Sequence, residues 1–310
     1  MTTIFRNRYY SIKNKLFMIK SAYNDHRNNK YIRYKQAIIN LFRNRNLKYK
    51  TYTFKTVQNY KTSDTIFLLG SGPSLNWLDR DQIKHIKEKN SIGFNKSFMR
   101  NDLVPTFHQY GWEKGNYRKY EKIFSPFRGN YEGVINFVHT LFLGRLIHPL
   151  FTRTLFPKGL VKICIFKVPN PIYLSNERKS FRDDDFYESL SYRGTMSLGL
   201  DIVAYRLKYK KIVLVGVDLD TNSHFFDDDD LIKENKSFSV EKRNEYYDKK
   251  FGVKKGTAAF ESMYSIPGKP ISMDEYYVSV AEYLKREKDI ELFIAFKNNI
   301  LYPRLPAYFD

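Results

Sequence analysis

Five consecutive turn-forming residues, Gly70-Ser71-Gly72-Pro73-Ser74, interrupt the run "TIFLLGSGPSLNWLD" between Thr65 and Asp79. Ile66 to Leu69 read as a buried strand, and Leu75, Trp77 and Leu78 as the start of a helix. Glycine admits positive φ and close approach of a ligand, and a helix start leaves backbone N–H groups without partners. Such a turn suits a bound phosphate, with Ser74 capping the helix or donating to a phosphate oxygen. It is neither the spaced-glycine dinucleotide fingerprint nor a Walker loop, since no Gly-Lys-Ser/Thr follows. A ligand-free turn is the plain alternative.

Further polar residues fall at strand ends. Asn95 in "GFNKSF" and Gln109 in "FHQYG" each follow a short apolar run. They could bond a sugar or base hydroxyl, or simply close a turn. Arg193, Thr195 and Ser197 in "SYRGTMSLG" stand at a helix start, a natural contact for an anion or nucleotide. Asp218 and Asp220 end "VLVGVDLD" with the spacing of paired acids that hold a divalent metal on a diphosphate, or of an ordinary acidic surface. Three groups could act as a base. His224 lies just beyond those acids, where Asp218 or Asp220 could orient it, and imidazole titrates near neutral pH. Asp274 in "SMDEYY" is the second, or a helix-start acid behind a capping Ser272. His108 is the third, or a packed histidine. Asp227 to Asp230 read as a solvated acidic turn.

The elements that must position these residues alternate. "TIFLLG", "NSIGFN", "VPTFHQYG", "GLVKICIFKVPN", "KKIVLVGVDLD" and "IELFIAF" are strand-like. "GTMSLGLDIVAYRLKY" and "MDEYYVSVAEYLKREK" have helical spacing, while "INFVHTLFLGRLIHPLF" is apolar and ambiguous. Strands alternating with helices predict an α/β fold: a Rossmann-like parallel sheet with helices on both faces. Ligands in such sheets bind at the carboxyl ends of the strands. A long polar stretch, about 220–270, reads as a lid. The domains expected are therefore a basic helical extension over 1–60 and a catalytic domain over 61–310 that carries the lid.

Charge narrows the partners. The 310 residues carry 53 Lys and Arg against 33 Asp and Glu, a net +20, which attracts nucleic acid, an anionic membrane or a phosphorylated substrate. No nucleic-acid module is recognisable, so nucleic acid is not an expected partner. Residues 1–55 interleave Lys and Arg with aromatic and aliphatic residues, as on a cationic amphipathic segment lying on anionic lipid, or on helices packed against the main domain. One cysteine, Cys164, excludes an internal disulfide and a cysteine-based zinc site. No apolar run approaches the roughly 18 residues of a membrane span, and no secretory signal is legible. A cytoplasmic protein attached peripherally to the inner face of the membrane is the expectation; homo-oligomer formation stays open.

The ordered set "LLGSGPSL", "GFN", "R-G-T-x-S" and "YKKIVLVGVDLD" resembles the bacterial sialyltransferases of glycosyltransferase family 42. It is similar too to the related flagellin-modifying glycosyltransferases and pterin diphosphokinase-like proteins, which share the Gly-x-Gly-Pro-Ser-Leu opening. The likeness covers Thr65 to Asp220, and more loosely the C-terminal helix and strand. It implies a GT-A-like sialyltransferase variant of the fold, a CMP-activated sugar acid as donor, and no required metal or other cofactor. Gly70, Ser71, Gly72, Pro73 and Ser74 would then surround the nucleotide, with Asn95 and Gln109 near ribose and sugar. Arg193, Thr195, Met196 and Ser197 would line the donor carboxylate and cytidine, and Gly216 and Asp218 would hold ribose or base. The family's basic histidine aligns with Ser272 here, and its pair of tyrosines near the departing phosphate is absent, the stretch with Asp220 and His224 standing there instead.

The reaction expected is transfer of a sugar from a CMP donor to a glycan or glycolipid acceptor of the cell surface, lipooligosaccharide or capsule. If Asp218 and Asp220 bind a metal, a nucleotide-diphosphate sugar becomes the better donor. A diphosphokinase-like ATP enzyme and a catalytically inactive, basic membrane-surface protein are the rivals.

Overall fold

Alternation along the central strands explains how one sheet buries both of its faces. The computed structural model describes residues 51–109, 123–139, 159–167, 188–191, 194–220, 223–230, 241, 245 and 273–309. The segment before residue 51, Arg193, Ser272 and most of the expected lid lie outside them. In chain order the strands are β1 (Thr51–Tyr52), β2 (Thr65–Leu69), β3 (Asn90–Phe94), β4 (Phe107–Gln109), β5 (Ile135–His139), β6 (Leu160–Lys167), β7 (Glu188–Ser191), β8 (Lys211–Val215) and β9 (Glu291–Ile294). The α-helices are α1 (Phe54–Gln58), α2 (Arg80–Lys87), α3 (Gly194–Asp201) and α4 (Met273–Lys288).

The strands lie in the order β1-β6-β5-β4-β3-β2-β8-β9, with β7 also pairing β6, and every described pairing is parallel. The α/β reading of the sequence thus holds: a Rossmann-like parallel sheet covered on both faces. Ile66, Leu68, Ile212 and Leu214 face one layer, where they meet Phe54 and Val57 of α1, Leu198 of α3 and Tyr277, Val280 and Leu284 of α4. Phe67, Leu69, Val213 and Val215 face the other, against Leu75, Leu78 and Ile86. Residues 51–58, which the sequence reading places in the N-terminal extension, belong to this sheet and core through β1 and α1.

Local signals set several boundaries. Asp79 caps α2 by accepting from the Gln82 N–H at 2.8 Å, while Gln82 Oε1 accepts from the Asp79 N–H at 3.1 Å. α3 runs on into a π-helical turn, Ile202–Arg206. The chain after β9 forms a feature with no periodic signal: it returns alongside that strand, with the Tyr308 N–H donating to Ile294 O at 2.8 Å and the Phe309 N–H to Ala295 O at 3.0 Å. Tyr308 and Phe309 then pack on Phe67 at centroid separations of 5.3 and 6.0 Å. This pairs the carboxyl end of β9 on its outer edge, where backbone groups would otherwise be exposed.

Candidate functional site

From β2 the chain steps to β3 on one side, while β8 pairs with β2 on the other. That reversal is the topological switch point, where an open parallel sheet leaves a crevice at its carboxyl edge. Gly70–Ser74 and Gly216–Asp220 leave the sheet there on adjacent strands.

The two strand ends are knitted together. The Gly70 N–H donates to Val215 O at 2.7 Å and the Gly72 N–H to Gly216 O at 2.8 Å. The Ser74 N–H donates to Asp218 Oδ2 at 2.8 Å, and its hydroxyl is 2.6 Å from Asp218 Oδ1. A Cβ at Gly70 would lie 2.2 Å from Gly216 O, and one at Gly72 would lie 2.3 Å from Asp218 Oδ2. The glycines therefore serve the close approach of backbone to backbone and to a carboxylate. From sequence the turn's amides are free to meet a phosphate, but in the structure those of Gly70, Gly72 and Ser74 bond the protein itself, and Pro73 has none. Among the described residues, Ser71 keeps the turn's remaining N–H without a protein acceptor. Burial, aided by the negative charge of Asp220, holds the Asp218 carboxyl above its ordinary range against the opposing effect of its two bonds from Ser74.

The lip at β3 is built around Asn95, whose φ of +51° is left-handed, a conformation asparagine tolerates better than most residues. His108 on β4 is fully buried and has its Nε2 3.0 Å from Asn95 O. A carbonyl only accepts, so Nε2 carries the hydrogen; burial pushes the imidazole's pKa down to about 3. His108 is thus a neutral core group bracing Asn95. The Asn95 amide in turn points to Thr195 Oγ1 at 3.4 Å, joining two candidate residues that stand 100 apart in sequence. α3 approaches this closely because residue 199 is glycine; a Cβ there would lie 2.2 Å from Phe94 Cζ. Ser197 is buried, Met196 packs against the core, and Gln109 is buried at the end of β4.

A segment at 223–230 closes over the turn. The Phe225 N–H donates to Ser71 O at 3.0 Å, and Asn76 Nδ2 donates to Phe225 O at 3.1 Å. These two bonds set His224 beside the turn. Asp218, offered by the sequence to orient the ring, is turned to Ser74, and Asp227 Oδ2 accepts from the His224 backbone N–H at 2.7 Å, a bond to the main chain and not to the ring. The acidic run thus caps its own loop through Asp227. Lys96, which the sequence reading did not single out although it adjoins Asn95, has Nζ 5.1 Å from the centroid of the buried Phe226 ring.

Asp274 begins α4. A helix leading into a parallel strand starts at the carboxyl edge, so Asp274 is on the site's side of the sheet. Arg304, another residue the sequence did not mark, donates from Nη2 to Asp274 Oδ2 at 2.7 Å. The tail that carries Arg304 also meets the chain just beyond β8, with Asn299 Nδ2 donating to Val217 O at 2.9 Å. Among the described residues no three His, Cys, Asp or Glu side chains gather as a metal cluster. No described helix is long and apolar enough to cross a membrane.

No protein-family model matches this chain, and no curated protein does. Among solved structures it is similar to the sialyltransferase CST-II in complex with a trisaccharide acceptor and CMP, at 16% identity and a TM-score of 0.39, over 78% of this chain and 85% of that one. Two variants of CST-II in complex with CMP align at 16% identity and TM-scores of 0.41, over 78% of this chain and 86% and 85% of theirs.

Proposed function

We propose that this protein is a glycosyltransferase that moves a sugar acid from a CMP-activated donor to a glycan or glycolipid acceptor. The observation that carries the reading is convergence at one switch point. The turn at Gly70–Ser74 is bonded to the strand end at Gly216–Asp220 and to the segment bearing His224, and the Asn95–Thr195 pair stands at the carboxyl end of the neighbouring strand β3. Crevices at such switch points are where α/β sheets bind nucleotides, and the ordered motif set supports a sugar nucleotide in particular.

In the proposed reaction an acceptor hydroxyl oxygen attacks the donor's anomeric carbon. The bond from that carbon to the phosphate oxygen breaks, and its electron pair leaves with CMP. His224 receives the hydroxyl proton, with Asp274 as the alternative base. Arg193 and Thr195 are assigned to the donor carboxylate and cytidine, and Ser71 to the nucleotide. A monophosphate leaving group needs no metal. A diphosphate donor would need Asp218 to share with a cation the oxygens it now gives to Ser74. The basic residues before β1 would hold the enzyme against an anionic membrane carrying its acceptor.

Thermal-shift titration with CMP, UDP and ATP, with and without magnesium or manganese, tests this reading. Stabilisation by CMP without metal is the expected result. Stabilisation by UDP only with manganese would replace the donor, and by ATP with magnesium would replace the reaction. No response to any of them would leave a basic binding protein. For the membrane, deletion of residues 1–48, which spares β1, should abolish binding to anionic vesicles; unchanged binding overturns that attachment.

A further inference from the structure

The turn that looked from sequence like the anion cradle is a poor place for a phosphate. The amides of Gly70, Gly72 and Ser74 already have acceptors, and the Asp218 carboxylate lies against the turn with Asp220 nearby. A phosphate on that side would meet two acids and few donors. A bound nucleotide therefore needs a cation elsewhere at this edge of the sheet.

Lys96 has the placement. It follows Asn95 directly beyond β3, which pairs with β2, so Lys96 and Ser71 leave the sheet on neighbouring strands. Its position is set by consecutive restraints. His108 braces the Asn95 carbonyl, and Asn95 takes the left-handed turn and reaches Thr195. The Lys96 ammonium then lies over Phe226, the residue after the one whose N–H is bonded to Ser71 O. An aromatic face holds an ammonium in place, and a lysine's flexible stem lets that charge meet an incoming phosphate.

We propose that Lys96, rather than the glycine turn, makes the cationic contact to the phosphate of the bound nucleotide. Lys96 then also counters the charge that grows on that phosphate as the glycosidic bond breaks. This assignment rests on the nucleotide-binding reading above and adds to it a residue and a polarity: the phosphate faces β3, and the acids stand on the side of β8.

Calorimetric titration of CMP and of cytidine into the full chain and into Lys96→Met and Lys96→Arg tests it. The unmodified protein should prefer CMP to cytidine. Lys96→Met should weaken CMP by about 10- to 100-fold, the effect of losing a charge-assisted bond, and leave cytidine within about twofold. Lys96→Arg should keep most of the preference. Equal CMP affinity in Lys96→Met and the unmodified protein overturns the assignment, as does an equal loss for cytidine. Melting curves accompany each variant, and Lys96→Gln replaces Lys96→Met if the latter unfolds early. If the unmodified protein prefers another nucleotide, that nucleotide is compared with its own nucleoside: the donor reading then fails while Lys96 is still decided. If it binds no nucleotide, both fall.

Discussion

Asp218 accepts twice from Ser74, at 2.8 Å from the amide and 2.6 Å from the hydroxyl, across 144 residues of sequence. This pair fastens the β2 turn to the end of β8. Asp218→Ala should lower stability by about 1–3 kcal/mol, because it strands two donors of a buried serine. Asp218→Asn can keep both contacts, its oxygen accepting from the amide and its NH2 donating to the hydroxyl. The native carboxyl titrates above its ordinary value, so its ionised form is the one folding disfavours. Asp218's contribution to stability is full below the unfolded carboxylate pKa and is lost as pH rises through the folded value. Asp218→Asn should accordingly equal or exceed the native protein at pH 7, and its margin should shrink on acidification toward pH 4. Urea unfolding at several pH values measures both.

His108 predicts the opposite pH trend. Its folded pKa, about 3, lies below the unfolded value of 6.5, so the unfolded chain takes up the proton first as pH falls. The contribution of this residue to stability is complete above pH 6.5 and erodes progressively below it, toward the folded pKa. His108→Gln retains an N–H donor for Asn95 O and should remove this acid sensitivity. A native protein and variant that respond alike between pH 6.5 and 4 would contradict the buried, neutral assignment.

The glycines of the turn make poor probes of ligand binding. Gly70→Ala places a methyl against Gly216 O, and Gly72→Val places one against Asp218 and Gly216 O. Both contacts involve backbone or a bonded carboxylate, so neither relaxes cheaply. Each variant should lose about 3 kcal/mol or more of stability, read as an early melt. A native-like melt in Gly70→Ala would mean that the turn stands away from β8.

His224→Ala should reduce turnover by about 100-fold or more, the usual worth of a positioned base, with CMP affinity unchanged. Asp274→Asn should remove the charge from the Arg304 contact with little effect on turnover. The reverse pattern in transfer assays would move the base to Asp274.

Short continuous apolar runs and period-3.6 spacing make the central strands, α3 and α4 readable, because a strand buried on both faces is apolar at nearly every residue. The convergence of Gly70 with Asp218 was also readable, since parallel strands in such a fold end at one edge. The destination of each amide was not. A Gly-Ser-Gly turn looks the same in sequence whether its N–H groups meet a phosphate or the carbonyl of Gly216. Asn95 and Thr195 each stand out in the sequence, but their meeting depends on how closely Gly199 lets a helix approach Phe94. Lys96 went unmarked because its ring contact, Phe226, comes from a distant loop with no periodicity. The return of Tyr308 and Phe309 along β9 is set by aromatic packing on Phe67, for which no local pattern exists.

The pairing of β2 with β8 also bears on synthesis. Of the two neighbours of this central strand, β3 is translated almost at once, whereas β8 follows only after residue 210. Throughout that interval the nascent chain holds an all-apolar strand, Ile66 to Leu69, with one flank open to strangers. A ribosome that pauses between β3 and β8 would thus present a sticky edge, and chaperone dependence should be greatest in that window.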